Sequence, residues 1–448
     1  MAMARGQEKR ALVVGLGLTG LSCARYLVRL GYEVTAVDTR AQPPKLDALR
    51  QELPQVSVQT GTLAPALFEV PGLLVVSPGL SVNEPLIAHA VAGGARPIGD
   101  IELFAQAARA PVLAITGANG KSTVTALVGE MCRAGGLKTA VGGNIGVPAL
   151  ELLEAETPQV YVLELSSFQL ETTWSLDAHA AAVLNLTPDH MDRYGSMDAY
   201  ASAKARIFRG RGAMVLNADD ALVARMATPG RRVLRFTLGA PAGDDDYGVV
   251  QRADGEWLAR GTRLLMPAAE VPLAGRHNLA NTLAAMALAQ TMGVSDNDCR
   301  TAVRSFKGLR HRTELVAERD GVRWYDDSKG TNVGATIAAL NGMSTPVVLI
   351  AGGDGKGQDF SELRTAVVGH ARAVVLIGRD APQIERALGS VVPVRHAPDM
   401  RAAVIEAKQL AQNGDVVLLS PACASFDMFR NYEHRGDVFR AAVQEVLA

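Results

Sequence analysis

Short apolar runs alternate along this chain with amphipathic stretches, the pattern of parallel strands covered by helices. Three blocks repeat it. The first carries apolar runs at 11–14, 34–37 and 73–76 and fades near Gly99. The second begins with 112–115, adds 160–163, 180–184 and 214–216, and extends to about Lys307. The third carries 347–350, 373–377 and 416–419, each run ending in a glycine or serine loop. Residues 96–100 read as a linker between the first two blocks. Turn residues concentrate in 239–272, where alternating segments such as 247–252 predict a small antiparallel sheet. An Ala- and Leu-rich helix over 278–292 closes the second block, and a further helix is expected over 197–208. The pattern predicts an α/β chain of three domains, 1–99, 100–307 and 308–448.

Two of the strand-to-helix turns carry chemistry. Thr116-Gly117-Ala118-Asn119-Gly120-Lys121-Ser122-Thr123 follows the run 112–115 and reads as a phosphate loop. Glycines let successive N–H groups turn inward, and the next helix offers its positive end to a polyphosphate. Lys121 would reach the terminal phosphates, and Ser122 or Thr123 would hold magnesium. Ile115 stands where the common nucleotide loop has its first glycine, so this is a shorter variant. The other turn is Gly15-Leu16-Gly17-Leu18-Thr19-Gly20, with Asp38 at the end of the next strand, a dinucleotide fingerprint. Alone it argues for a nicotinamide-dependent oxidoreductase. A nucleotide-sugar diphosphate presents the same pyrophosphate to the same backbone, and we read the turn as a UDP site. Ser77-Pro78-Gly79 would form the other lip of that crevice, although it also reads as an ordinary turn. The two ends of the chain are thus expected to be Rossmann-like, with a phosphate-loop ATPase-like α/β domain between them.

Further polar groups fall at strand ends. Glu164 follows the run 160–163 and is placed as a magnesium ligand opposite the phosphate loop, with Ser166 and Gln169 opening the next helix. Asn185-Leu186-Thr187-Pro188-Asp189-His190 gathers amide, carboxylate and imidazole, so His190 is a candidate for metal or phosphate. The Asn144 carbonyl suits magnesium, while a plain glycine turn explains its segment equally well. Lys204, on the helix over 197–208, reads as a surface lysine.

Composition narrows the class. A formal net charge of −1 leaves no global basic excess for nucleic acid or an anionic membrane, so affinity for anions must be local. Cys23, Cys132, Cys299 and Cys423 lie far apart without a C-x-x-C pair, which suggests neither a zinc site nor a disulfide framework. The start, 1–10, is polar, and the apolar segment after it breaks at Gly15, too soon for a secretory signal. No apolar run approaches a membrane span. A soluble, cytoplasmic protein is expected.

Taken together, Thr116–Thr123, 163–170, 185–192, Gly275-Arg276-His277-Asn278 with Asn281, His311-Arg312 and Asp326-Asp327-Ser328-Lys329 resemble the Mur ligase family over the whole chain. The fingerprint, Asp38-Thr39-Arg40 and the C-terminal segments 420–427 and 431–436 are most similar to the members that add D-glutamate to UDP-N-acetylmuramoyl-L-alanine. The member adding L-alanine to UDP-N-acetylmuramate is the nearest alternative. The resemblance implies cytoplasmic peptidoglycan precursor synthesis, linked to cell shape and division, with ATP, two magnesium ions and an acyl-phosphate intermediate. It implies small-molecule substrates, no nucleic acid or membrane partner, and a monomer.

By the same resemblance, Lys121, Glu164, His190 and Lys204 are catalytic, with Lys204 carbamylated. Ser122 and Glu164 would hold one magnesium, and His190 and the modified Lys204, near Asn144, the other. Gly117, Asn119, Gly120, Lys121, Ser122, Thr123, Asn281, Arg312 and Asp327 would bind ATP. The UDP substrate would meet Gly17, Leu18, Thr19, Asp38, Thr39, Arg40, Ser77, Pro78, Gly79, Asn144, Ser166, Gln169 and His190. Lys329, Thr331, Lys356, Ser425, Phe426 and Tyr432 would receive D-glutamate. Phe426 stands where relatives often carry leucine, and Tyr432 where others carry phenylalanine.

Overall fold

A computed structural model describes residues 9–69, 72–273 and 275–448. The start of the chain before Lys9, read above as polar and unlike a signal, lies outside these residues. Each apolar run becomes a strand buried on both faces, as parallel sheets between helices require. The strands form three sheets of five, nine and six strands.

In the first sheet Arg10–Val14 is central, paired in parallel with Glu33–Asp38 and Leu73–Val76. Residues 96–100 are not a linker. Pro97–Ile98 pairs in parallel with Leu73–Val76 as the edge strand, and Asp100 begins the helix Asp100–Ala107 with its side chain buried. A two-residue edge strand is too short to show any periodicity, so only its proline and glycine were visible in sequence.

The second sheet places Val112–Thr116 between Val160–Glu164 and Ala180–Val183, all parallel. Their carboxyl ends therefore open on one edge, where ligands bind in open α/β sheets. The antiparallel excursion is present as Tyr247–Arg252, Gly255–Arg260 and Arg263–Pro267, and it extends the same sheet through Val233–Phe236. The helix Arg276–Thr291 covers one face of this sheet, packed against Lys121–Ala134.

In the third sheet Val416–Leu419 lies between Val322–Asp326 and Val347–Gly352, both parallel to it. Only Glu314–Arg319 runs antiparallel, on the outer edge. The loops after Val322–Asp326, Val347–Gly352 and Val416–Leu419 thus emerge side by side.

Candidate active site

The phosphate loop follows from its backbone. Gly120 precedes the helix Lys121–Ala134 with φ of 81°, and a Cβ there would sit 2.5 Å from Asn281 Oδ1. Glycine is needed for the turn and for the approach of Arg276–Thr291. Lys121 folds back over the loop, donating to the carbonyls of Gly117 at 3.0 Å and Ala118 at 2.8 Å. Burial pulls its pKa down, and Glu164 and Asp189 oppose that shift.

Lys204 is not a surface residue. It is 2 % exposed, and its Nζ donates to Gly117 O at 2.8 Å, with Thr116 Oγ1 at 3.4 Å and the Tyr200 ring 4.7 Å away. The helix Met197–Ala205 alternates small and polar residues without an apolar stripe, so sequence could not show which side faces the sheet. Burial, then the neighbouring Lys121, drives the Lys204 pKa well below the ordinary lysine value.

Glu164 lies at the end of its strand with Oε1 accepting from Asn144 Nδ2 at 2.8 Å, while its buried Oε2 has no partner among the described residues. Burial alone would raise its pKa, but Lys121, Ser122 and Asn144 together hold it below the usual carboxylate value. An ionised, half-satisfied carboxylate beside a serine hydroxyl and an amide is a donor set that suits a hard divalent cation. Ser166 and Gln169 close a capping box on the next helix, Ser167–Glu171. Gln169 Nε2 also donates to the buried Asp100 at 2.9 Å, fixing its side chain from the first domain's border.

His190 sits at φ 58° with Nε2 3.7 Å from Asp189 Oδ2 and its ring 4.7 Å from Phe168. Burial lowers its pKa against the pull of Asp189, which favours the neutral imidazole. Asp189 in turn accepts from Asn332 Nδ2 at 3.1 Å, and Asn119 lies within hydrogen-bond reach of both Asn332 and Thr187. Asn332, which caps the helix Val333–Asn341, was missed; the segment Lys329-Gly330-Thr331-Asn332 was its signal.

The third sheet supplies the opposite wall. Arg312 reaches across to donate to Ser122 Oγ at 2.7 Å. Asp327 accepts from Ser420 at 2.7 Å and from the Thr313 N–H at 3.2 Å, and burial raises its pKa to about 7. Lys329 Nζ lies 3.7 Å over the Tyr432 ring, with burial and Arg312 lowering its pKa to about 8. Asn119, Gly120, Thr123, Asn281, Arg312 and Asp327 line one cleft of about 660 Å³ between the second and third sheets. Lys356 meets Asp189 and His190 in a second recess of about 320 Å³. Asp354 and Ala424 form a bridge that sets Lys356 and Ser425 in neighbouring loops; Ser425 is buried, Thr331 half-buried and Phe426 exposed. Arg435 was also missed. Fully buried, it ties Ser328 to the Cys423 carbonyl and so joins the loops carrying Lys329 and Ser425. Its place in a helix start rich in charge gave no hint of that.

On the first domain, Asp38 accepts the Leu16 N–H at 2.7 Å, the Arg40 N–H at 2.9 Å and two bonds from the Arg40 guanidinium at 2.9 and 2.6 Å. Ser77 Oγ donates to Gly15 O at 2.9 Å, so the two turns touch. Leu18, Thr39 and Arg40 are exposed around them, and Gly17 and Thr19 half-buried. Arg193 links the lip to the second domain through Pro78 O at 3.2 Å and Leu80 O at 2.9 Å. Among the described residues, no hydrogen bond joins Asn144, Ser166 or His190 to Gly17, Leu18 or Thr19.

Comparison with known proteins agrees with this layout. Residues 9–99 match the N-terminal domain described as Mur ligase MurD-like, 115–289 the Mur ligase middle domain, and 311–423 the Mur ligase glutamate ligase domain. The chain is 55 % identical over 443 residues to the UDP-N-acetylmuramoylalanine–D-glutamate ligase of Methylobacillus flagellatus, covering 98 % of each. Identity to the protein of the same name from Nitrosococcus oceani is 53 % over 440 residues, covering 98 % of this chain and 97 % of the relative. Among solved structures, a pseudomurein peptide ligase type C from Methanothermus fervidus superposes with a TM-score of 0.61 at 16 % identity, covering 98 % of this chain and all of the other. The UDP-N-acetylmuramate–alanine ligase of Thermotoga maritima does so at 0.59 and 19 % identity, covering 98 % and 99 %.

Proposed function

This chain belongs to the Mur ligase family, and from that premise we infer that it joins D-glutamate to UDP-N-acetylmuramoyl-L-alanine at the expense of ATP, in peptidoglycan precursor synthesis. The observation that carries the reading is the convergence of Lys121, Lys204 and Arg312 on one glycine loop beside the half-satisfied Glu164. Lys121 and Arg312 bring positive charge where a triphosphate and a carboxylate must meet, and Lys204 lies beside them.

A carboxylate is a poor electrophile because oxide is a poor leaving group. In the reaction a carboxylate oxygen of the UDP substrate attacks the γ-phosphorus of ATP, and ADP leaves. The amine of D-glutamate then attacks the carbonyl carbon of the acyl phosphate, loses a proton, and expels phosphate. Both steps accumulate negative charge, so placed cations supply the main stabilisation. Lys121 would release the loop carbonyls for phosphate oxygens, and Arg312 would leave Ser122 for them. Asn281 and the cleft around it would take the adenine end. Lys356 and Lys329, with Thr331, Ser425, Phe426 and Tyr432, would face the acceptor carboxylates.

Magnesium fits the donors present. Ser122 and Glu164 would hold one ion, and His190, Asn144 and a carbamylated Lys204 a second; bound there, the ions would neutralise phosphate charge. The buried Lys204 amine supports the modification, because burial and the neighbouring Lys121 lower its pKa and so favour the neutral form, which adds to carbon dioxide with loss of one proton. No described helix is long and apolar enough to cross a membrane, in keeping with a cytoplasmic ligase working on soluble precursors, which we take to act as a monomer.

The test is phosphate release with ATP, magnesium and UDP-N-acetylmuramoyl-L-alanine, scanning D-glutamate, L-glutamate, L-lysine and meso-diaminopimelate, with mass analysis of products. Product with D-glutamate alone is expected. Product only from UDP-N-acetylmuramate plus L-alanine would move the protein to the preceding step. Binding of NADH with no phosphate release would overturn ligation altogether.

A further inference from the structure

A third cavity, of about 1050 Å³, opens between the first and second domains beside residues 81–83, just past the Ser77–Gly79 lip. On the first domain the helix Pro85–Ala92 gives it an apolar stretch, Ala88, Val91 and Ala92, beside the polar Ser81 and Asn83. Cations enter from both sides, Arg96 from the first domain and Arg206 and Arg209 from the second. Arg96, Arg206 and Arg209 place their guanidinium carbons 4.3, 4.3 and 4.8 Å from the Trp174 ring centroid. Arg193 completes the set, and Glu171 is the one carboxylate of the lining, already bonded to Arg193.

Like charges crowded on one indole cost free energy unless something neutralises them. Burial, then Arg209 and Arg96, lower the Arg206 pKa. Arg206 and Arg209 spend part of their donors on the carbonyls of Leu170 and Thr173. No hydrogen bond or ion pair reaches Arg96 among the described residues, and this exposed residue lines the cavity with its guanidinium over Trp174. Guanidinium forks pair with phosphate in a bidentate fashion, and the alanine and valine wall suits a small apolar body attached to it.

We propose that this cavity is a binding site for a phosphate monoester of a small organic molecule, separate from both substrate sites. It is placed to affect the nucleotide lip. Arg193 holds the Pro78 and Leu80 carbonyls, and Ala199 and Ala203 of the helix bearing Lys204 line the same cavity. Occupancy changes the affinity of the UDP site.

Trp174 reports on the site directly, since the sequence holds only three tryptophans. With ADP, magnesium and UDP saturating the substrate sites, phenyl phosphate, inorganic phosphate and pyrophosphate are titrated while tryptophan emission is followed. Saturable change is expected with phenyl phosphate at least threefold tighter than inorganic phosphate. It should vanish in Arg96→Ala/Arg209→Ala and in Trp174→Phe. The double variant should keep its turnover without added anion, and phenyl phosphate should shift KM for the UDP substrate at least twofold in the wild type only. No saturable change, or a change that survives in the double variant, would overturn the site. Equal affinity for inorganic phosphate would overturn the organic ester as its ligand. The fluorescence arm needs no turnover, so its failure is distinct from failure of the ligase reading.

Discussion

Two glycine turns of the same kind, at Gly15–Gly20 and Thr116–Thr123, have opposite electrostatic character. In the first, the helix start is met by the protein's own carboxylate. Asp38 takes the Leu16 N–H and the Arg40 fork, and burial notwithstanding, these bonds bring its pKa down to about 2. In the second, among the described residues, no carboxylate bonds to Lys121, and Glu164 and Asp189 act on it only through space. Lys121 rests on loop carbonyls, which satisfy its N–H groups but neutralise no charge, and the buried Lys204 amine of lowered pKa lies beside it. A turn that carries its own anion suits a neutral nucleoside with a diphosphate at its edge. A turn whose Lys121 bonds only to carbonyls is open to a polyanion. Backbone motif alone therefore says where phosphate can sit, and the surrounding charge says how much of it.

The sharpest way to break this contrast is Lys204→Ala. Turnover should fall by about a thousandfold or more, the size of losing a main electrostatic contact in a buried site. Acetate or formate, entering the vacated space as a carboxylate, should restore part of it if the lysine acts as a carbamate. Steady-state phosphate release decides the matter: full activity of the variant without additive sinks the role.

Next comes one substitution made in both turns. A Cβ on Gly20 would stand 1.8 Å from Gly15 O, a backbone atom that cannot swing away, so Gly20→Ala should cost about 3 kcal/mol of stability. A Cβ on Gly120 meets the Asn281 amide at 2.5 Å at a left-handed φ, costing about 1–2 kcal/mol and weakening ATP binding roughly tenfold or more. Denaturant midpoints and nucleotide titration separate the two. If Gly20→Ala leaves the midpoint unmoved, the first turn is more plastic than its contacts imply.

The sequence revealed the strands well because each is a short apolar run buried on two faces, and it revealed the loops because glycines and hydroxyls cluster where strands end. What it hid depends on packing between distant segments. Lys204 lies on a helix whose composition marks no inner face, and only its place over the Thr116–Thr123 loop makes it a buried amine. Asp100 looked like linker charge, yet it is buried against Gln169 with its pKa pushed up to about 6 by burial. Arg435 needed the third sheet's loops to be brought together before its donors had purpose. Local pattern names candidate chemistry, while long-range contact assigns charge state.

A smaller effect tests the anion-closed turn. Asp38 is depressed from 3.8 to about 2, so its contribution is present above about pH 4 and lost as pH falls through 2. Asp38→Asn should lower stability at pH 7 by about 1 kcal/mol, the linkage value of roughly 2 reduced because half-exposed Arg40 is screened by solvent. The deficit should shrink as urea midpoints are taken from pH 5 to pH 3. KM for the UDP substrate should rise more than kcat falls. A deficit independent of pH would show that the carboxylate's charge is not what closes the turn.

Least of all should depend on Phe426. Its ring is 69 % exposed beside the buried Ser425, so the structure gives it little packing to lose. Replacing Phe by Leu keeps an apolar side chain and removes area that is already in water, so kcat should hold and KM for D-glutamate move by about twofold at most, roughly 0.4 kcal/mol. That outcome would place the acceptor's recognition on the charged groups Lys356 and Lys329, in line with the cation-rich second turn. A tenfold rise in KM would mean instead that the ring packs on the acceptor in the working enzyme. The third domain must then close over the cleft by enough to bury it, and the contrast drawn between the two turns would need a third partner, a pocket assembled only with substrate bound.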